Sequence, residues 1–258
     1  MPSQSAADRF PPTRLSVLLR ARGDDEAARS EAFGLLVAAY WRPIYTYLRL
    51  RWRLEAADAE DQTQSFLATA WEQGFLAADD AARARFRTFL RVCLDRHVQN
   101  QQKAALTLKR GGRQQLLSLD FVSAEDGLRG REAADPSGTE ELFQREFVRE
   151  LFSHAVTQLR AELEGRGRGV VFAVFDRYDL GPADGVRYAD VARELGIPVS
   201  HVTNHLHAAR RRFRELVLDR LRELSSTEAE FRAEARELLG LDPVMSTLPD
   251  AAMSREQA

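Results

Sequence analysis

Residues 188–214 read YADVARELGIPVSHVTNHLHAARRRFR, and their apolar residues repeat with the period of a helix twice in succession. Gly196 separates the two repeats; glycine commonly ends a helix in the left-handed conformation, and Pro198 suits the start of the next helix. The stretch therefore predicts two helices joined by a sharp turn. The first apolar stripe consists of Tyr188, Val191, Ala192 and Leu195, and the second of Val202, Leu206, Ala209, Phe213 and Leu216.

The side of the second helix opposite its apolar stripe is polar and basic. Short polar side chains come first and arginines follow, an order that suits DNA base edges near the start of a helix and phosphates further along it. A helical hairpin inside a larger helical protein, with an ordinary solvated basic face, is the alternative interpretation. The predicted DNA-binding residues are Ser200, His201, Thr203, Asn204, His207, Arg210 and Arg211, with Arg214 on the same side.

The composition is that of an ordinary globular protein. The chain has 258 residues, 44% of them hydrophobic and 29% charged, which is enough for two modest domains. No apolar run is long enough to cross a bilayer, and the first residues lack the order of a secretory signal, so we expect a cytoplasmic protein without a membrane partner. The single cysteine, Cys93, excludes an internal disulfide and any multi-cysteine metal site, and its apolar neighbours predict a buried structural thiol.

Charge is sorted along the chain although its net value is only −2. Residues 55–80 contain seven acids and no Lys or Arg, whereas residues 83–113 contain nine bases and one acid, Asp95. An acidic helix beside a basic one suggests two different partners, and the basic segment fits a polyanion. The alternative for both segments is a solvated surface with internal ion pairs.

Helical periodicity and turn signals divide the chain into four parts and predict an all-α fold of two helical domains. We predict a first domain over residues 13–112, a flexible linker over 113–138, a second domain over 139–224 and an extension over 225–258. Within the linker, Leu116, Leu117, Leu119 and Phe121 are able to dock locally.

Three local signals predict finer features of these parts. Pro43 should interrupt or bend a helix of the first domain. An apolar helix is predicted over residues 170–178. Thr227 and Glu230 form a capping box that opens a short helix ending at Gly240.

Motifs for catalysis and cofactor binding are absent from the sequence. Residues 165–169 (GRGRG) resemble a phosphate loop only superficially, since no Lys-Ser/Thr follows, and a turn is the better interpretation. His201 and His205 have the spacing of helix-borne metal ligands, but a third ligand in a recognisable context is missing. We therefore predict no enzymatic activity, no metal and no cofactor.

Four stretches in succession resemble a bacterial sigma-70 family factor of the extracytoplasmic-function type. Residues 40–48 (YWRPIYTYL) resemble the first helix of sigma region 2, and residues 58–71 (DAEDQTQSFLATAW) resemble the region 2 helix that docks on the polymerase clamp. Residues 86–112, which begin FRTFL and end KRGG, resemble the segment that melts and reads the minus-10 promoter element. Residues 186–214 resemble the region 4 reader of the minus-35 element, and the likeness covers about residues 15–224.

This resemblance implies an alternative sigma factor that binds core RNA polymerase, recognises both promoter elements and promotes DNA melting, while the chemistry belongs to the polymerase. The implied partners are promoter DNA and the clamp and flap regions of core polymerase. The resemblance is also compatible with an anti-sigma factor as a further partner. The implied polymerase-binding residues are Asp58, Glu60, Asp61 and Gln64, and the implied DNA contacts of the basic segment are Arg83, Arg85, Phe86, Arg87, Lys103, Lys109 and Arg110.

Aromatic residues near those bases suit the stacking of flipped bases, which is how single strands are held. Phe75 and Phe86 are the candidates, while Phe89 is assigned to the core.

The chain also departs from the family pattern. Members often carry Asn and Asp where this chain has Arg96 and Asn100, and basic residues where it has Thr203, His205 and Ala208, so no promoter sequence is carried over. Two rival interpretations stay open: a helix-turn-helix regulator that binds DNA unaided, and a helical adaptor that binds only protein.

Overall fold

Helices make up the secondary structure of the part of the chain that the computed structural model describes, residues 26–73, 86–105, 118–128, 138–181, 186–225 and 227–241. These residues contain no strand, so the predicted all-α class is confirmed for them. A π-helical turn, Asp176–Leu180, follows the sixth α-helix directly. The α-helices of the described residues are α1 (Glu26–Arg51), α2 (Ala56–Gln73), α3 (Phe86–Ala105), α4 (Phe121–Asp126), α5 (Thr139–Gly165), α6 (Gly169–Phe175), α7 (Tyr188–Leu195), α8 (Val199–Glu223) and α9 (Glu228–Leu239).

These helices belong to two compact units. Unit 1 contains the described residues up to Glu150 together with those from Arg222 onward, and unit 2 is Leu151–Leu221. The boundaries of the units differ from the predicted ranges, because residues 139–150 and the described residues of the extension, 225 and 227–241, belong to unit 1.

Aromatic packing forms the centre of unit 1. The α1 residues Tyr40 and Tyr47 are fully buried because the apolar stripe of α1 faces the other helices of the unit. Tyr40 stacks on Phe147 of α5 with ring centroids 4.9 Å apart, and Tyr47 meets Phe143 edge-on at 5.5 Å. Of the two predicted effects of Pro43, an interruption or a bend, the interruption is wrong, because α1 continues through Pro43 from Glu26 to Arg51.

Asp95, the one acid of the basic segment, has a structural role in unit 1. Its carboxylate accepts hydrogen bonds from Tyr47 Oη (3.0 Å), from Trp52 Nε1 (3.1 Å) and from Arg91 Nη1 (2.8 Å). Burial and the nearby Asp95 carboxylate raise the pKa of the Tyr47 hydroxyl well above its usual range. The contacts tie α3 to α1, which explains why a carboxylate lies among so many bases.

Residues 118–128 contain a short packed helix, Phe121–Asp126, where the composition predicted a flexible linker. Asp120 caps α4 by accepting a hydrogen bond from the Ser123 amide at 3.0 Å. Phe121 is buried against two aromatic rings of α1, so its predicted local docking is confirmed. Glu125 accepts hydrogen bonds from Tyr45 Oη (2.6 Å) and pairs with Arg49 (2.6 Å). The buried ring and the charge-assisted hydrogen bonds explain why this stretch docks on α1.

The core of unit 2 lies beneath α7 and α8. It consists of fully or nearly fully buried aliphatic side chains, Val174, Val191, Ala192, Val202 and Leu206, with Tyr178, Val186, Leu195 and Ile197 packed at its edge. Arg212 of α8 makes two hydrogen bonds of 2.8 Å to Glu162 of α5, which link these two helices of the unit.

Candidate nucleic-acid interface

The turn between α7 and α8 has the geometry that its sequence predicts. Gly196 ends α7 in the left-handed conformation, with φ 64° and ψ 33°, and its amide bonds to the Ala192 carbonyl. Ile197 N–H also bonds to that carbonyl, at 3.0 Å. The chain then restarts as α8 at Val199, so only residues 196–198 separate the two helices. This is a helix-turn-helix arrangement, in which the second helix can enter a groove of DNA.

Most of the predicted apolar stripes are buried. Val191, Ala192, Val202, Leu206, Ala209 and Leu216 lie in the interior, and Leu195 and Phe213 are partly buried. The exception is Tyr188, which is 36% exposed because its ring lies against that of Tyr178, with centroids 5.0 Å apart, instead of in the centre of the core. The burial of the α8 stripe leaves the opposite side of α8 open.

That open side carries every predicted contact residue of α8. The side chains of Ser200, His201, Thr203, Asn204, His207, Arg210, Arg211 and Arg214 are all exposed. From residue 200 to residue 211 the helix rises about 16 Å, a length that matches a pass through the major groove. Residues 199–214 include no Asp or Glu. The surface therefore combines short hydrogen-bonding groups with arginines and carries no negative charge of its own.

His205, beside this face, is partly buried. Burial lowers its pKa, and the neighbouring His201 and Arg168 lower it further. Its ring meets that of His201 with centroids 5.8 Å apart, the expected result of their i, i+4 spacing. Among the described residues, no group of three or more His, Cys, Asp or Glu side chains is placed to hold a metal ion.

Arg210 is exposed, as Arg211 is, but its guanidinium is paired with a carboxylate of another element. Both Arg210 nitrogens that face Asp179 donate to its carboxylate, Nε at 2.9 Å and Nη2 at 2.6 Å. This hydrogen bonding to Asp179 raises the pKa of Arg210. Sequence reasoning missed Asp179, because a partner 31 residues away on another element leaves no periodic signal. Arg210 is thus already bound within the protein.

The structure corrects the prediction for two residues of the basic segment. Phe86 and Arg87 are predicted to contact DNA, but their side chains are only 1% and 2% exposed. In this structure, therefore, neither side chain is accessible to a DNA strand. Phe86 meets Tyr40 edge-on at 5.7 Å, and the guanidinium carbon of Arg87 lies 6.0 Å from the Phe147 ring centroid.

The acids of α9 explain the burial of Arg87. Its Nε lies 3.3 Å from Glu234 Oε2, and its Nη2 lies 3.2 Å from Glu237 Oε1. Glu230 accepts a hydrogen bond from the Phe86 amide at 3.0 Å and so satisfies one free donor at the start of α3. The first turn of α3 is therefore covered by a helix from the C-terminal extension.

Other predicted residues of the basic segment have different outcomes. Lys103 is exposed near the end of α3. Phe89 is partly buried. The predictions for Phe75, Arg83, Arg85, Lys109 and Arg110 lie outside the described residues.

The predicted polymerase-binding residues all lie near the start of α2. Asp58 and Asp61 are exposed, and Glu60 and Gln64 are partly exposed. Asp58, in the first turn of the helix, is favourable there because it faces the positive end of the helix dipole. The structure thus provides an acidic surface at this end of α2.

The helices of the described residues include none that is both long enough and apolar enough to cross a membrane. Comparisons of the whole chain with protein-family models, with curated proteins and with solved structures found no match.

Proposed function

We propose that this chain is an alternative sigma factor of RNA polymerase. It binds core polymerase through the acidic surface of α2, reads an upstream promoter element with α8 and promotes melting with the basic segment around α3. The observation that carries the proposal is the open side of α8, which is exposed, has no Asp or Glu of its own over residues 199–214 and follows a left-handed glycine turn. A sigma factor acts in the cytoplasm.

The order of side chains on α8 assigns a role to each half of the helix. The hydroxyl and amide groups of Thr203 and Asn204 lie in the N-terminal half, where a recognition helix meets base edges. Arg211 and Arg214 lie further along, where guanidinium groups meet phosphates. We expect the first pair to determine sequence preference and the second pair to supply salt-dependent affinity.

The burial of Phe86 and Arg87 changes the proposal for unit 1. Strand contacts are assigned to Lys103 and to the predicted bases Arg83, Arg85, Lys109 and Arg110, with Phe86 and Arg87 as packing residues of α3. Asp58, Glu60, Asp61 and Gln64 remain the proposed contacts to the polymerase clamp.

Reconstituted transcription tests the proposal directly. Core polymerase from the same organism, mixed with this protein, should give specific transcripts from fragments of that organism's genome, and the protein should copurify with core. If the protein protects a DNA site alone and adds no transcript, it is a stand-alone regulator. If it binds neither core nor DNA, the adaptor interpretation replaces the proposal.

Substitutions on α8 test the two expected roles. Arg211→Ala should weaken binding to every duplex by a similar factor and reduce the slope of log affinity against log salt by about 1. Asn204→Ala should lower the affinity for the preferred sequence much more than that for a shuffled duplex. Arg166→Ala, at an exposed arginine of the turn between α5 and α6, is the control. Equal losses on all sequences for Asn204→Ala would refute base readout.

Charge reversal on α2 tests the polymerase contact. Asp61→Arg should reduce the affinity for core polymerase while DNA binding by the isolated protein stays the same. The control is Glu164→Arg, at an exposed acid near the end of α5. An unchanged core affinity for Asp61→Arg would remove the clamp assignment.

A further inference from the structure

The π-helical turn Asp176–Leu180 is bonded to both helices of the helix-turn-helix. Arg177 Nε donates to Glu194 Oε2 on α7 at 3.0 Å. Asp179 accepts two hydrogen bonds from Arg210 on α8, at 2.9 and 2.6 Å. Two charged residues of one short turn, on either side of Tyr178, are therefore each paired with a different helix of the proposed DNA-binding motif.

Tyr178 completes this arrangement from the core side. The Arg210 guanidinium lies over its ring at 5.6 Å, and the same ring contacts Tyr188, the first residue of α7, with centroids 5.0 Å apart. Arg210 thus makes a bidentate contact to the Asp179 carboxylate and a cation–π contact to the Tyr178 ring. Both interactions depend strongly on orientation, since the guanidinium plane must match the carboxylate and lie over the ring.

Close packing at the end of the turn keeps these groups in place. Gly181 N–H bonds to the Asp176 carbonyl at 2.8 Å and closes the π-helical turn. A Cβ atom at Gly181 would lie 2.7 Å from the Arg177 backbone oxygen, which real Cβ atoms do not tolerate. Departures from α-helical geometry of this kind are often found at functional sites.

We propose that Asp179 and Tyr178 are positioning residues for DNA readout, and that Arg210 acts within the protein as their partner instead of as a phosphate contact. The π-helical turn holds α8 against α7, so that Thr203, Asn204 and His207 face the bases in one fixed orientation. This inference rests on the proposed DNA-binding function of α8.

The sign of one substitution distinguishes positioning from simple electrostatics. Asp179 carries a negative charge beside a helix proposed to bind a polyanion. If it acted only through its charge, Asp179→Asn would strengthen binding to every duplex, because repulsion would fall and Arg210 would be released to meet a phosphate. If it positions α8, the same change lowers the affinity for the preferred sequence relative to other sequences.

The test uses duplex DNA selected by the full-length wild-type chain from a random-sequence library, with a shuffled duplex of equal length as the reference. For Asp179→Asn we expect the ratio of the two affinities to fall by about tenfold, the scale of a coupling between contacting residues. Asp176→Asn is the matched control, because it removes an equal charge from the same turn and the Asp176 carboxylate pairs, within the described residues, with Arg160 at 3.8 Å and with neither helix of the motif. Its ratio should stay unchanged.

Arg210 supplies the second arm. Arg210→Gln should lower the ratio as Asp179→Asn does, and the double variant should be no worse than either single variant, because both remove one interaction. Equal weakening on both duplexes, with a salt slope reduced by about 1, would instead identify Arg210 as a phosphate contact and overturn the inference. So would a uniform gain in affinity for Asp179→Asn. If the wild-type chain selects no sequence either alone or with core polymerase, the proposed function fails as well.

Discussion

His97 shows how one side chain can make the stability of unit 1 depend on pH. It continues the helical repeat of Leu90, Cys93 and Leu94 on the packed side of α3, and its ring lies edge-on to Phe66 at 5.6 Å. Its Nε2 is buried and has no hydrogen-bond partner in the described part of the chain. Burial lowers its pKa from the ordinary value of 6.5 because the charged ring would lose its hydration.

The free energy of unfolding should therefore fall as the pH drops below about 6.5, since the unfolded chain then binds a proton that the folded chain resists. The stability that the folded state gains by keeping His97 neutral is fully present above that pH. It is lost as the pH falls from 6.5 through the lowered pKa of His97 in the folded state. Urea unfolding at a series of pH values from 7 to 5 measures the effect. His97→Gln should reduce the slope of the free energy of unfolding against pH. Equal slopes for wild type and His97→Gln would contradict the assignment.

At this scale the sequence predicts which side of a helix is packed but not what a polar group meets there. His97 follows from helical periodicity alone. Arg87 does not, because a base within a basic run has the same pattern whether it faces solvent or a carboxylate. Its partners lie on a helix 147 residues further along the chain. Burial of a charge depends on such distant partners, and no local rule supplies them.

The sequence predicts well those helix ends that depend on capping residues and glycines close to them in the chain. The capping box is confirmed, since Thr227 accepts a hydrogen bond from the Glu230 amide at 3.1 Å and α9 ends at a left-handed Gly240. The end of α7 at Gly196 is confirmed in the same way. The sequence missed α4 as a packed helix and the π-helical turn, because both depend on contacts with elements distant in sequence.

Gly196 provides a test at the level of the element. A Cβ atom there would meet nothing within 4 Å, so Gly196→Ala should cost only the strain of its φ of 64°, about 1 kcal/mol. Asn tolerates this conformation better than Ala, so Gly196→Asn should cost clearly less. Thermal unfolding of the full chain, compared with wild type, gives both values. Equal costs for Ala and Asn would mean that the left-handed conformation is not what requires glycine.

At the scale of the whole molecule, α9 makes the C-terminal extension part of unit 1. Phe231 is fully buried, and Arg222 lies over its ring at 4.3 Å. Glu234 is nearly as buried, and its carboxylate is at ion-pair distance from Arg87. Composition alone left this extension without a role, because a short capped helix shows its function only through the surface that it covers.

A buried ion pair adds little stability over an apolar pair of the same size, but breaking it leaves one charge uncompensated. Glu234→Ala should therefore lower the free energy of unfolding of unit 1 by about 3 kcal/mol. The Glu237 side chain is 37% exposed and so is screened by water, and Glu237→Ala should therefore cost less than about 1 kcal/mol. Trp41, Trp52 and Trp71 all lie in unit 1, so tryptophan fluorescence in urea follows its unfolding.

The double variant Arg87→Met/Glu234→Leu separates the charge from the packing. It removes both buried charges and keeps most of the side-chain volume, so it should be much more stable than Glu234→Ala and close to the wild type. If the double variant is instead as unstable as Glu234→Ala, the contribution of α9 comes from shape and hydrogen bonding, and the ion pair is not what holds the first turn of α3. If Glu234→Ala costs nothing, Glu237 alone compensates Arg87, and the double variant Glu234→Ala/Glu237→Ala, which keeps Arg87, should then show the full loss.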